Sequence, residues 1–215
     1  MDKLKQALSL FFALSLALLA GCSATPDYPV WEADITGLSL RTGTASQYTF
    51  SYVDTLWVAE PEVGNRVALV YTQNTDENQI CNISIQLDRA HDKPVTEQDL
   101  QTLTDSMGDS FSYFTIDRSE MRLVEDTPVI LLETTSRFTD EYLDMAIEQG
   151  ILTEEMIEAS GGRELFHAMP PTTQITAIAV CDGLQFTLTG SYYNATQKQD
   201  LETQLVLLLN TLDSL

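Results

Sequence analysis

The chain has 215 residues, 44% hydrophobic and 20% charged, a composition that can build a packed core and that excludes a disordered polymer. With 32 Asp and Glu against 11 Lys and Arg, the formal net charge is -21, which repels phosphate backbones and excludes a nucleic-acid role. Beyond the first 21 residues no stretch is long and apolar enough to cross a bilayer as a helix.

The first five residues carry Lys3 and Lys5, and residues 7–20 form an apolar run broken only by Ser9 and Ser15. That run has the length of a signal-peptide core and is short for a membrane span. It ends in Leu19-Ala20-Gly21-Cys22, which resembles the lipobox of bacterial lipoproteins. The resemblance implies that residues 1–21 are removed and that the Cys22 thiol carries lipid. Two acyl chains hold a protein stably on a membrane where one holds it only reversibly. The expected location is therefore outside the cytoplasm, anchored to the outer face of the cell membrane or to the outer membrane, depending on envelope type. The leader holds Asp2 against Lys3 and Lys5, a net of +1, so its removal leaves the mature chain at -22. Residues 23–29, Ser-Ala-Thr-Pro-Asp-Tyr-Pro, are small and polar, and residues 22–46 read as the lipidated cysteine and a tether. A single domain is expected over 47–215.

Within that domain, residues 48–53 (Tyr-Thr-Phe-Ser-Tyr-Val) are strand formers, and the pattern continues through Trp57 to a bend at Glu60-Pro61. Residues 66–73 and 79–87 flank a polar turn at 74–78. Val67, Leu69 and Tyr71 alternate on the first arm, and Cys81, Ile83, Ile85 and Leu87 on the second, which predicts a β-hairpin. Thr96 and Asp99 form a capping box with Asp in place of Glu, opening a helix that places Leu100, Leu103 and Met107 on one face before Gly108. Residues 111–116 and 120–124 read as two strands, 126–128 as a turn, and 129–136 as a further strand. Residues 140–149 and 153–159 predict two short helices, separated by Gly150 and ended by Gly161-Gly162. Residues 174–181 and 184–192 flank Asp182-Gly183, the strongest short hairpin signal in the chain. Thr196 is the expected cap of a last helix running through Leu201, Leu205, Leu208, Leu209 and Leu212.

Strands outnumber helices and hairpins dominate, which predicts an α+β fold, an antiparallel β-sheet flanked by helices. The order of elements, with Tyr48-Thr-Phe-Ser-Tyr-Val53 leading to Trp57, Asp126-Thr-Pro128 before a strand, and residues 179–190 (Ala-Val-Cys-Asp-Gly-Leu-Gln-Phe-Thr-Leu-Thr-Gly) before a Leu-rich helix, resembles the PsbP proteins of photosystem II, the Ran-binding protein Mog1 and small bacterial lipoproteins of that fold. The resemblance covers residues 48–212. It implies a PsbP/Mog1-like sandwich with the helical segment at 138–162 as an insertion, and it implies no single activity, since assembly factors and binding modules share the fold.

Cys81 and Cys181 are the two thiols left after lipidation, in a compartment where disulfides persist. They would either bridge two strands or stay apart as small buried apolar residues. His91 lies in a polar loop and His167 precedes Pro170-Pro171, and neither has the spacing of a metal ligand. Asp88 and Asp92 flank His91, and Asp76 and Glu77 crowd a turn, without the calcium-loop pattern. Trp57, Tyr71, Tyr192 and Tyr193 would line a ligand groove or, as strand aromatics usually do, fill core and cross-strand positions. No catalytic, cofactor-binding or metal-ligating motif is found.

The leading expectation is a cell-envelope lipoprotein whose domain is non-catalytic and binds a partner protein or small ligand. A surface-tethered hydrolase using a carboxylate or His167 near residues 140–162, and a cation-binding envelope module, are the alternatives.

Overall fold

Alternating apolar residues pair into hairpins, and the hairpins assemble into two antiparallel sheets with helices against them. The computed structural model describes residues 27–76, 79–107 and 113–215. The expected lipidation site Cys22 and its leader lie outside the described residues, as do Glu77 and the stretch 108–112.

A small sheet contains β1 (Leu40–Thr44), β2 (Tyr48–Val53) and β10 (Asp213–Ser214), in the order β1-β2-β10. A seven-stranded sheet contains β3 (Trp57–Ala59), β4 (Arg66–Tyr71), β5 (Asn82–Ala90), β6 (Phe114–Val124), β7 (Thr127–Ser136), β8 (Thr172–Cys181) and β9 (Leu184–Tyr192). Its order is β3-β4-β5-β9-β8-β7-β6. The helices are α1 (Glu97–Met107), α2 (Asp140–Glu148), α3 (Glu154–Ala159), α4 (Arg163–Ala168) and α5 (Ala195–Thr211). The fold is α+β, with antiparallel sheets flanked by helices.

The expected hairpins form in register. Val67 faces Ile85 and Leu69 faces Ile83 across β4 and β5. Between β8 and β9 the chain turns at Asp182 and Gly183, with φ of 47° and 74°, the left-handed pair whose twist suits a two-residue hairpin. Between β6 and β7 the turn lies at Glu125-Asp126, with Glu125 at φ 51°, so Thr127 and Pro128 belong to β7 rather than to the turn. β6 is one strand, not two. Its register shifts between Ile116 and Arg118, and that irregularity breaks the alternation in the sequence.

Two further elements differ from expectation for local reasons. The last helix is capped by Asn194, whose side chain accepts from Gln197 N at 2.9 Å, and Thr196 sits inside the first turn. The helical segment between β7 and β8 has a third helix, α4, held by Arg163 to Asp140, Asp144 and Glu154 at 3.3, 2.8 and 2.7 Å.

Most of the core lies on one face of the seven-stranded sheet. Ile83, Leu131, Phe186 and Leu188 are buried there, with α5 and with Tyr48 and Phe50 of β2 over them. Leu201, Leu205 and Leu208 of α5 have no exposed surface, and each such burial contributes about 1.5–3 kcal/mol. Gly190 permits that contact, since a Cβ there would lie 2.2 Å from Leu201 Cδ1. Gln204 of α5, fully buried, links the layers, accepting from Val53 N and donating to Ser51 O, both at 3.0 Å. Among the described residues the opposite face holds a small cluster, Val95, Met121, Ile130 and Leu132, under Leu100, Leu103 and Met107 of α1.

The segment before β1 is bonded to the sheet. Leu123 N donates to Pro29 O at 3.0 Å and Trp31 N donates to Leu123 O at 2.7 Å, so Val30 bridges in parallel to the edge strand β6. β1 pairs with β2 along its whole length. Residues 29–44, expected within the tether, are therefore part of the folded body. β6 has one strand neighbour, and its outer edge offers the backbone groups that this strap uses.

Candidate functional site

The residues singled out in the sequence do not converge. Cys81 and Cys181 are both buried free thiols. β9 lies between their strands, and they stand at its opposite ends, Cys81 just before the Asn82–Ser191 pair and Cys181 opposite Leu184. The bridge between them does not form. Burial, with Asp200 nearby, pushes the Cys81 thiol up to about 12, and burial pushes Cys181 up to about 11, so both stay protonated as small apolar residues. Trp57 and Tyr71 pack against each other in the core with ring centroids 5.2 Å apart, and Tyr71 OH donates to Asp200 at 2.5 Å. Tyr71 also borders a cavity of about 320 Å3 with Asn194 and Gln197. Tyr192 belongs to a different place, beside Glu133, and Tyr193 anchors the start of α5 by donating its backbone N–H to Gln197 Oε1.

His91 is 3.9 Å from the exposed Asp92, and its backbone N–H donates to Gly183 O. Asp88 accepts from Thr187 Oγ1 at 2.7 Å, a cross-strand bond on the open polar face. His167 Nε2 lies 3.4 Å from Asp140 Oδ1, a partner that also serves the Arg163 clamp between helices α2 to α4. Hydrogen bonds to Glu154 and Asp144 raise the Arg163 value further. Among the described residues no group of three His, Cys, Asp or Glu is placed to hold a metal ion, and no helix is long and apolar enough to cross a membrane.

The densest charged assembly is one the sequence did not announce. Glu133 on β7, with its side chain 12% exposed, accepts from Tyr192 OH of β9 and from Lys198 Nζ of α5 at 2.5 Å. Arg118 of β6 lies 3.3 Å from Glu133 and 3.5 Å from Glu202 of α5, and Arg122 holds Glu120 at 2.8 Å. Lys198 also sits 5.4 Å over the Tyr192 ring. Burial opposes ionisation of Glu133. The hydrogen bonds from Lys198 and Tyr192, with the charges of Lys198 and Arg118, outweigh it and hold the carboxyl below its usual range. Burial and the bond to Glu133 push the Tyr192 hydroxyl up. The result is an ionised carboxylate with its cations already in place, which locks α5 onto β6, β7 and β9.

Among the described residues, two grooves flank the strap. One, of about 430 Å3, lies between the strap, α1 and β6, and is lined by Tyr28, Pro29, Leu100 and Met121 with Glu97, Gln101 and Glu120. Burial, with the charge of Glu97, raises the Tyr28 hydroxyl. The other, of about 450 Å3, runs on the far side, with Trp31 and Val206 at its base and Glu32, Glu125 and Asp126 around it. Both have an apolar floor with carboxylates beside it, a form suited to holding a segment with apolar and basic side chains. Tyr28 and Met121 are 93 positions apart and meet only because the strap lies on β6, so sequence spacing carried no signal for the groove.

Comparison with known proteins gives little more. No family model matches the chain. No curated protein matches it either. Among solved structures, the solution structure of cyanobacterial PsbP (CyanoP) from Synechocystis is similar over 86% of this chain and 98% of that one, at 13% identity and a TM-score of 0.42. That likeness assigns this chain neither a family nor an activity.

Proposed function

We propose that this chain is a bacterial cell-envelope lipoprotein, cut before Cys22 and acylated on its thiol, whose α+β domain is a non-catalytic module that binds a partner protein or small ligand at the grooves beside its strap. The observation that carries this reading is the strap itself. Because Pro29 and Trp31 are bonded to Leu123, the folded body begins seven residues after Cys22. An extended chain covers that interval in at most about 25 Å. A lipid on Cys22 would then hold the β6 and α1 side of the domain close to the bilayer, with both grooves opening near its surface. The excess of carboxylates would keep the body from adhering to anionic head groups, leaving the anchor to do the holding.

The test has two arms. In cells, Cys22→Ser should move the protein from the membrane to the soluble fraction and abolish labelling by palmitate. A photo-cross-linker in place of Gln101, on the exposed side of α1, should capture a reproducible product in intact cells. Wild-type protein found unacylated in the soluble fraction would refute the anchor, and a groove that captures nothing would refute the binding module.

A further inference from the structure

Among the described residues the strap uses the outer edge of β6 at one residue, Leu123, and the reason is chemical. Leu123 contributes both its N–H and its C=O to the strap. In a parallel ladder the next pair of bonds would join Met121 to residues 27 and 29. Pro29 has no N–H, so the Met121 carbonyl receives nothing from it, and no bond joins Met121 N to Asp27 O. Backbone groups two residues apart on a strand point to the same side, so Ser119 shares this edge with Met121. Among the described residues neither has an outward backbone bond. The open edge runs beside the groove floored by Tyr28, Leu100 and Met121.

We propose that this edge and groove together dock an extended, basic segment of a partner protein, which adds to the sheet as a strand next to β6. The proposal rests on reading the domain as a binding module and names the partner's chemistry. Strand addition supplies main-chain bonds at Ser119 and Met121 while alternate side chains enter a pocket beside the edge. Apolar side chains of the incoming segment fit the floor of Tyr28, Leu100 and Met121. Basic ones meet Glu97 in the groove's lining and the field of a chain with formal charge -21. The same charge disfavours a second copy of this chain, which would bring an equal negative body to the edge. Pro29 has no N–H to give the Met121 carbonyl, so the strap leaves that acceptor to the incoming segment.

The experiment uses the mature lipidated protein in non-ionic detergent micelles and a fluorescent peptide of four Val-Lys repeats. Fluorescence anisotropy should show saturable binding, and amide exchange should slow at Ser119 and Met121 when the peptide is present. Glu97→Lys should weaken binding roughly tenfold or more, whereas the same reversal at exposed Glu158 on α3 should leave it within about twofold. Equal losses from the two reversals would show diffuse charge attraction and overturn the proposal. So would absence of binding, binding without protection of those two amides, or their protection by self-association without peptide. If the peptide fails while cross-linking from Gln101 still captures a partner, the binding module stands and the basic strand does not.

Discussion

On one face of the seven-stranded sheet α5 buries eight of its residues, and on the other face α1 buries none. Both helices lie against β6, yet one is enclosed between two layers and the other rests on a cluster of four buried side chains. The difference separates two jobs that a small domain must perform. The enclosed side supplies the free energy of folding, while the lightly held side can yield to an occupant at small cost. The groove that borders the open edge of β6 is on the lightly held side.

This contrast can be broken most forcefully from the enclosed side. Leu205→Ala, at a position with no exposed surface, should lower unfolding free energy by about 2–5 kcal/mol in a urea titration. The matching change Leu103→Ala on α1 removes a partly buried side chain and should cost less than about 1 kcal/mol. Equal losses at the two sites would erase the distinction.

Glu133→Gln tests the lock between α5 and the sheet. At neutral pH it should cost about 1–3 kcal/mol, because it weakens bonds from Lys198 and Tyr192 and leaves two cations less compensated. The sign with pH follows from a carboxyl held below its ordinary value of 4.5. Its contribution is complete above that value and is lost as pH falls through the lower folded value. Wild-type stability should therefore drop in acid more steeply than that of Glu133→Gln, and parallel acid profiles would show that Glu133 is not the responsible group.

The smallest effect sharpens the other side. Thr96 N and Oγ1 both donate to Asp99 Oδ2, at 2.8 and 2.6 Å, and Thr96 Oγ1 accepts from Asp99 N. Thr96→Ala should cost about 1 kcal/mol and appear mainly as faster amide exchange within α1. Slower or unchanged exchange there would mean that α1 is held by more than its cap and four buried neighbours.

What could be read from the sequence was local. The β4–β5 pair, the Asp182-Gly183 hairpin and the Thr96–Asp99 box each lie within a short window and each takes the form its residues require. The failures have equally local causes. β1 reads Leu-Arg-Thr-Gly-Thr and is largely exposed, so it has no apolar alternation to detect. α4 has six residues, fewer than two turns, and its main tie is Arg163 reaching back to α2 and α3. Asn194 and Thr196 are both good caps two residues apart, and only the bond to Gln197 N decides between them. The candidate sites were hidden for a different reason. Glu133 and Lys198 are 65 positions apart, and Leu123 meets Pro29 and Trp31 from across much of the chain, so neither assembly has a spacing to recognise.

The pairing of β5 with β9 has a kinetic consequence. It is the junction through which the first hairpin joins the remaining strands of the large sheet, and the bond from Thr187 to Asp88 across it spans 99 positions. Closing so long a loop is slow, and strands joined this way assemble in about milliseconds to seconds rather than microseconds. A chain emerging from its N-terminal end would carry β5 as an unsatisfied edge until β9 arrived. The most vulnerable moment in this protein's history would be that wait, when Ile83 and Ile85 are without the layer that later covers them.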